Sequence, residues 1–182
     1  MLQHQPELRT ERLILRRFAI ADAPSVQRFA GAKEIADTTL LIPHPYPDGA
    51  AEVFINGVAN DWAEGKSAVF AITLADSGQL CGSIGLVIEP KHSRAELGYW
   101  VGLPFWGKGI CTEAALALLK FGFGDLNMNK IHAYHFTRNP ASGRVLQKIG
   151  MKYEGQLFQH VRKLEHFEDI FCYGILRSEF MP

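Results

Sequence analysis

Two glycines in a loop ahead of an apolar helix, Gly107 and Gly109, form the pattern with the most definite chemistry in this chain. The first turn of a helix has about four N–H groups without a partner and carries roughly half a unit of positive charge. Glycine lets the backbone approach an anion closely and adopt positive φ. We therefore expect a seat for a phosphate group here. Its backbone donors would come from Trp106, Gly107, Lys108, Gly109, Ile110, Cys111 and Thr112.

The spacing around the two glycines differs from that of the common nucleotide loops. Lys108 is followed by Gly109 rather than by Ser or Thr, which argues against a P-loop. Gly107 and Gly109 fit the dinucleotide fingerprint, but Thr112 stands at its third small position, and no acidic residue ends the next predicted strand. A nucleotide-dependent oxidoreductase stays as a less favoured alternative, as does a plain tight turn without a ligand.

The elements on either side must hold this loop in place. Runs of branched and aromatic residues between turn residues predict strands at residues 12–18, 67–74, 80–89, 94–101, 130–137, 151–158 and 167–176. Apolar residues at helical spacing predict helices at residues 22–30, 50–64, 112–123 and 139–149. Residues 33–41 are ambiguous, and the prolines of residues 42–48 predict a loop.

The order of these elements predicts an α/β fold, which some schemes group as α+β. Residues 67–101 form an antiparallel meander, and the strand–helix–strand step within residues 94–137 predicts a right-handed parallel crossover. We expect one domain over residues 1–182. Its central mixed sheet, mostly antiparallel, would have about six or seven strands with helices on both faces.

Composition and charge limit the class of protein. The chain has 182 residues, 47% of them hydrophobic, which suffices for one packed domain. Its 19 basic and 19 acidic residues leave no basic excess for a nucleic acid. The sequence has no apolar run of membrane-spanning length, and its amino terminus lacks the apolar core of a secretion signal.

The cysteines indicate a reducing compartment. Cys81, Cys111 and Cys172 are widely spaced and form neither a CxxC pair nor a zinc pattern. We expect them to be reduced thiols, buried as small hydrophobic residues. A cytoplasmic protein follows as the default, without a metal and without direct contact to nucleic acid or membrane.

Around the phosphate loop, the chain resembles the GNAT superfamily of N-acetyltransferases. The likeness rests on residues 96–101 and 105–114, on residues 139–150 and on the opening residues 8–16, in that family's order and spacing. It is strongest with the branch of ribosomal-protein N-terminal (alanine/serine) acetyltransferases. One departure is Pro104, which stands where the family's loop has a basic or amide residue. A side-chain contact to phosphate is lost there, whereas the backbone donors remain.

The resemblance implies acetyl-CoA as co-substrate, with its pantetheine arm between two splayed parallel strands. Backbone groups of Tyr99, Trp100 and Val101 would pair with the pantetheine amides like an added strand. Asn139, at the end of the second strand, would bond the same arm. The structural alternative for Asn139 is the N-cap of the following helix, and the two roles are compatible.

The implied chemistry is direct attack of a neutral amine on the thioester. A backbone N–H near Val101 would polarise the carbonyl. Ser142 would donate to the leaving thiolate, although a serine in a first helical turn commonly satisfies backbone groups instead. Glu96 is the first candidate for the base that frees the amine, with a purely structural carboxylate as the alternative. Glu165 and His166 in the final hairpin are further candidates.

Two histidines were considered as metal ligands. His132 and His135 lie three residues apart in one predicted strand and therefore on opposite faces. We expect packed or surface histidines rather than a metal pair.

The acceptor stays open at this stage. The first choice is the N-terminal α-amine of a protein such as a ribosomal protein, and the second is a small-molecule amine such as an antibiotic, a polyamine or an amino-acid-like compound. A non-catalytic CoA-binding module is the alternative from another class. Residues 42–48 and the final hairpin would shape the acceptor slot. A homodimer is compatible with this scheme.

Overall fold

One mixed sheet forms the centre of the protein in the computed structural model, which describes residues 4–181. Its strands in that range are β1 (Leu8–Arg9), β2 (Leu13–Arg16), β3 (Ser67–Leu74), β4 (Leu80–Glu89), β5 (Arg94–Val101), β6 (Lys130–Phe136), β7 (Lys152–Lys163) and β8 (His166–Leu176). The spatial order is β1-β2-β3-β4-β5-β6-β8-β7. Neighbouring strands are antiparallel, except β5 and β6, which are parallel.

Helices cover both faces of this sheet. The helices of residues 4–181 are α1 (Ala23–Ala30), α2 (Lys33–Thr38), α3 (Ala50–Ala63), α4 (Ile110–Gly124) and α5 (Pro140–Lys148). α4 is the crossover between β5 and β6, and its Phe121 ring meets Phe70 of β3 edge-on at 5.6 Å. α1 contacts α3, which packs on β3. The apolar core lies between these layers, and its largest fully buried side chains include Leu13, Phe70, Ile84, Leu118 and Ile131.

The parallel pair separates after three residue pairs. β5 and β6 are in register at Arg94–Lys130, Ala95–Ile131 and Glu96–His132. Beyond Glu96, β5 runs on to Val101 without pairing to β6 in the described part of the sheet. The predicted splay is thus confirmed, and its apex lies at Glu96 and His132.

The predicted α/β architecture is confirmed, with corrections at its edges. The sheet has eight strands in residues 4–181, against the six or seven expected. The extra strand is β1, which has two residues and gains its order by pairing with β2. The ambiguous residues 33–41 contain α2, and β7 continues to Lys163 rather than ending at residue 158.

Two further expectations concern membranes and thiols. None of the helices within residues 4–181 combines the length and apolar character needed to cross a membrane. Within the same range Cys81, Cys111 and Cys172 are free. The expectation that all three would be buried as small hydrophobic residues holds for Cys81, whereas Cys111 and Cys172 are only partly buried.

Candidate active site

The phosphate loop joins β5 to α4. β5 ends at Val101, a short 3-10 helix covers Leu103–Phe105, and α4 begins at Ile110. Gly107 and Gly109 have φ values of +73° and +77°. Side chains are strained in this left-handed region, so the two positions require glycine, as the sequence predicted.

The loop presents a row of backbone donors. The N-cap of α4 is Gly109, which has no side chain to bond the first turn. Within residues 4–181, no protein acceptor is bonded to the N–H groups of residues 107–112. The Trp106 N–H donates to the Leu103 carbonyl at 3.1 Å, so the row begins one residue later than predicted. Such a row at a helix start suits an anion.

The end of β5 directs alternate backbone groups towards the splay. The Gly102 N–H donates to the Cys81 carbonyl of β4 at 2.8 Å, so the Val101 carbonyl, in the same planar peptide, points the other way. Because N–H and C=O of one strand residue face the same side, Val101 and Tyr99 both face the splay. The Trp106 indole Nε1 donates to the Val101 carbonyl at 2.5 Å, which leaves the Val101 N–H as the donor.

Trp100 faces the opposite way. Its carbonyl oxygen lies 2.2 Å from the position that a Cβ on Gly82 of β4 would occupy. Trp100 is in register with Ser83, and its side chain is buried. Its backbone therefore serves the sheet, contrary to the prediction that it lines the slot.

Across the splay, Tyr99 of β5 contacts the first turn of α5. The Tyr99 hydroxyl lies 2.7 Å from the Ser142 hydroxyl and 3.3 Å from the Ser142 carbonyl. The Ser142 N–H donates to the Asn139 Oδ1 at 3.3 Å, which makes Asn139 the N-cap of α5, the structural alternative that the sequence left open. The structure thus brings Tyr99, Ser142 and Asn139 together at one wall of the slot.

Burial keeps the polar hydrogens of this wall in place. It raises the pKa of Tyr99 far above the usual range of a phenol, so the hydroxyl stays protonated. Burial also raises the pKa of the nearby Cys111 thiol to about 12. The wall therefore carries neutral donors at physiological pH.

Glu96 lies at the apex of the splay. Its carboxylate is 4.0 Å from the His132 Nε2, and its side chain is 47% exposed. Burial, and secondarily the charge of Glu89, raises the pKa of Glu96. Burial lowers the pKa of His132, which is therefore neutral at pH 7 and not an ion-pair partner. In the described chain no arginine and no backbone N–H is bonded to Glu96, which argues against the purely structural role.

Glu96 and Tyr99 are on opposite faces of β5, since they are three residues apart in one strand. Tyr99 contacts α5, so Glu96 lies on the face away from α5. The two predicted catalytic residues, Glu96 and Ser142, therefore flank the splay from opposite sides. A carboxylate on one side and hydroxyl groups on the other suit a reaction in which one group attacks and another leaves.

The other candidates lie elsewhere. Glu165 is highly exposed in the β7–β8 turn, where it pairs with Arg162 at 3.0 Å. His166 begins β8, eight residues before Gly174, the partner of His132. At about 3.3 Å per residue it lies some 26 Å along the strand from the apex. Neither residue therefore lies at the apex beside Glu96.

His132 and His135 are both buried, as packed residues, on opposite faces of β6. The His135 Nδ1 lies 2.8 Å from the Phe136 carbonyl, and its ring stacks on Tyr173 at 5.6 Å. Within residues 4–181 no group of three or more metal-ligating side chains is found.

A splayed parallel pair beside a glycine-rich helix start is the site of a transferase that uses acyl-CoA. A family model described as an acetyltransferase (GNAT) domain matches residues 12–152. The chain belongs to this family and is an acetyl-CoA-dependent N-acetyltransferase.

Relatives and solved structures agree with this assignment. The uncharacterized N-acetyltransferase YoaA of Bacillus subtilis (strain 168) is 31% identical over 173 residues, covering 94% of this chain and 97% of the relative. A crystal structure of a GNAT-family acetyltransferase from Bacillus anthracis has a TM-score of 0.86 and 25% identity, covering 96% of this chain and all of that one (100%).

One solved structure contains the cofactor product. RimL, a ribosomal L7/L12 α-N-protein acetyltransferase in complex with coenzyme A, has a TM-score of 0.86 over 94% of this chain and 98% of its own. Its identity is 17%, so this likeness concerns the fold.

Sequence reasoning missed two parts of the site. It assigned Tyr99 only a backbone role, although strand alternation places its side chain on the face opposite Glu96. It also left the opening residues around Thr10 and Arg12 without a function. Their side chains reach Glu113 in the first turn of α4.

Proposed function

We propose that this enzyme transfers the acetyl group of acetyl-CoA to the N-terminal α-amine of a protein by direct attack. The observation that carries the proposal is the placement of Glu96 and the Tyr99–Ser142 pair on opposite sides of the splay. Acetyl-CoA would lie between them. The amine acceptor then approaches from the Glu96 side.

The donor is held largely by backbone groups. The diphosphate binds the N–H groups of residues 107–112 at the start of α4. The pantetheine arm pairs with the slot-facing groups of Tyr99, and the Asn139 side chain bonds it from the start of α5. The Val101 N–H donates to the thioester oxygen as negative charge develops there.

The reaction moves one proton on each side. The amine nitrogen attacks the thioester carbon and gives a proton to Glu96 through intervening water, since Glu96 lies about 16 Å along β5 from Val101 at about 3.3 Å per residue. The C–S bond then breaks, and the sulfur leaves as a thiolate that accepts a hydrogen bond from the Ser142 hydroxyl and takes its proton from water. Because a thiol has a pKa of about 8.5, the leaving group needs only modest help. The Tyr99 hydroxyl behind Ser142 keeps the serine hydrogen available.

An α-amine suits this modest base. At pH 7 an α-amine with a pKa near 7.8 is about 10–15% neutral, whereas a lysine amine near 10.4 is about 0.04% neutral. A carboxylate with a raised pKa therefore acts more easily on a protein N-terminus than on a lysine side chain.

The surroundings of the slot favour a polypeptide. Lys163 of β7 donates to the Leu40 carbonyl at 3.0 Å and to the Ile42 carbonyl at 2.6 Å, which joins the hairpin to the proline-rich loop. Large apolar side chains are exposed along these two segments, among them Leu41 at 89% and Leu164 at 74%. Such a rim offers area for residues that follow a protein's N-terminus. A small-molecule amine is the second candidate, since nothing in the Glu96 apex requires a long acceptor.

An acceptor panel tests the proposal. Thiol release from acetyl-CoA is measured with peptides that have free N-termini, with the same peptides N-acetylated but containing lysine, and with polyamines. We expect turnover with free N-termini and its loss in Glu96→Gln. Turnover only with polyamines would transfer the assignment to the small-molecule alternative. Binding of acetyl-CoA without turnover on any amine would support the non-catalytic module.

We also propose a cytoplasmic location. The three free thiols support it, because such cysteines persist as thiols in a reducing compartment. The donor, acetyl-CoA, and the acceptor amine are the only partners that the proposed reaction requires, and a homodimer is compatible with it.

A further inference from the structure

The opening segment of the chain is bound to the start of α4 through one carboxylate. Glu113 accepts hydrogen bonds from the Thr10 hydroxyl at 2.6 Å, from the Arg12 N–H at 2.9 Å and from the Arg12 Nε at 2.7 Å. The Arg12 Nη2 is 2.6 Å from the same carboxylate. Together with burial of part of the Glu113 side chain, this makes the pair more than a loose surface contact.

Arg12 makes one more bond, and it reaches the phosphate loop itself. Its Nη1 donates to the Lys108 carbonyl at 3.0 Å. The Lys108 carbonyl and the Gly109 N–H belong to one planar trans peptide and therefore point in opposite directions. Because Arg12 binds the Lys108 carbonyl, the Gly109 N–H points away from Arg12 and joins the donor row of residues 107–112.

Gly109 by itself does not fix the orientation of the Lys108–Gly109 peptide. Gly109 has φ of +77°, and because glycine lacks a Cβ its backbone has more freedom to rotate than that of any other residue type. A Cβ at Gly109 would stand 3.4 Å from the Arg12 Nη2, which places the guanidinium directly behind the loop. The Arg12 charge is already paired with Glu113, so orientation rather than net charge is what it supplies.

We propose that Arg12 is a positioning residue of the donor site, which holds the Lys108–Gly109 peptide so that the Gly109 N–H faces the diphosphate of acetyl-CoA. This inference rests on the proposed diphosphate seat. It gives a function to the Thr10–Arg12 segment: Thr10 and Glu113 fix the guanidinium, and the guanidinium fixes the loop.

The inference predicts a defect confined to the phosphate end of the donor. The diphosphate is remote from the thioester, so a misaligned Gly109 N–H weakens donor binding and leaves the chemical step intact. Acetyl-pantetheine has the thioester and both amides but lacks the diphosphate. A residue that acts only through the diphosphate seat cannot affect its use.

The test compares Arg12→Lys with wild type on both donors. Lysine keeps the charge but loses the fork that bonds Glu113 and the Lys108 carbonyl together. We expect the KM for acetyl-CoA to rise about tenfold with kcat within about twofold, which corresponds to one lost charge-assisted bond. The kcat/KM for acetyl-pantetheine should equal that of wild type. Arg9→Lys is the matched control, because Arg9 of the same opening segment pairs with Glu7 at 2.9 Å rather than with Glu113 or Lys108, and it should leave both donors unaffected.

The outcomes separate the inference from the proposed seat. An equal loss on both donors would show a general structural tie and overturn the inference, as would an unchanged KM for acetyl-CoA. A wild type that uses acetyl-pantetheine as well as acetyl-CoA would instead disprove the seat. If Arg12→Lys does not fold, Glu113→Gln, which loosens the guanidinium, should give the same donor-selective rise in KM. Its absence there would also overturn the inference.

Discussion

The Tyr99 hydroxyl and the Ser142 hydroxyl share a 2.7 Å hydrogen bond that spans the splay from β5 to α5. The parallel ladder has already ended at Glu96, three residues earlier on β5. This contact therefore links β5 to α5 beyond the point where backbone pairing between the parallel strands has ended. It also joins a buried phenol, whose raised pKa keeps it a donor, to the residue proposed to meet the leaving sulfur.

Removing either hydroxyl should slow the chemical step. For Ser142→Ala and Tyr99→Phe we expect kcat to fall about 10- to 100-fold, the effect of one lost hydrogen bond to a developing charge, with little change in donor affinity. In the double variant, the loss of transition-state stabilisation should be smaller than the sum of the losses in the two single variants, because Tyr99 acts through Ser142. Steady-state kinetics with calorimetric CoA binding measures this.

Tyr134→Phe is the matched control for these variants. Tyr134 lies on β6 with its side chain 41% exposed and edge-on to His132, so its ring is on the Glu96 side. Its hydroxyl is not part of the Ser142 contact. An unchanged kcat in Ser142→Ala would remove Ser142 from the chemistry.

A carboxylate in the donor row should abolish CoA binding. Gly109→Glu places a negative carboxylate where the diphosphate would bind. It also forces a residue with a side chain to adopt a backbone φ of +77°. Gly78→Glu is its control, since Gly78 has φ of +69° in the turn between β3 and β4. Both variants suffer the backbone strain, about 1–2 kcal/mol, but only Gly109→Glu should lose CoA binding in calorimetry. Equal retention of CoA by both variants would rule out the seat.

The pH dependence should report on Glu96. Burial raises the pKa of Glu96, and the base must be ionised, so activity is lost as pH falls through a pKa above that of an ordinary glutamate. A plot of log(kcat/KM) against pH should have a slope of one where only the amine is protonated, and two below the pKa of Glu96. In Glu96→Gln the steeper limb should vanish.

Glu89→Gln offers a finer check on the same group. The negative charge of Glu89 contributes to the raised pKa of Glu96, so its removal should move the steep limb to lower pH. A limb that moves to higher pH, or that persists in Glu96→Gln, would show that another group is titrating.

A methyl group at Gly143 should destabilise the fold. A Cβ there would lie 2.8 Å from the His135 Nε2, and His135 is buried against Tyr173. We expect Gly143→Ala to lower the free energy of unfolding by about 1–3 kcal/mol through overpacking. Gly57→Ala in α3 is the control, because a Cβ at Gly57 meets nothing within 4 Å and should stabilise by about 0.5–1 kcal/mol. Urea unfolding compares the two.

Local chemistry explains which parts of the fold were predictable. Strands β3, β4 and β5 have the bounds expected from the sequence, because turn residues such as Gly78 separate their apolar runs. The loop glycines were identifiable for the same local reason. By contrast, β1 exists only through its partner β2, and β7 extends to Lys163 through pairing with β8 across two register shifts.

The candidate site likewise has a part that follows from local sequence and a part that depends on tertiary packing. Backbone donors in residues 107–112 follow from the sequence, because a helix start has them wherever it lies. The Tyr99–Ser142 bond and the reach of Arg12 to Lys108 depend on how β5, α5 and β2 pack, and no local pattern encodes that. The orientation of Trp100 towards β4 was missed because strand pairing decides it.

Because the β5–β6 ladder ends early, the sheet within residues 4–181 contains a stretch without pairing between these two strands. A sheet that is continuous on both flanks has a gap in its middle, lined by peptide groups that a neighbouring strand would otherwise bond. A ligand whose amide groups have a strand-like spacing can bond these peptide groups as a missing strand would. The alternating direction of the backbone N–H and C=O groups along β5, which builds the sheet, thus also selects the ligands that bind in the gap.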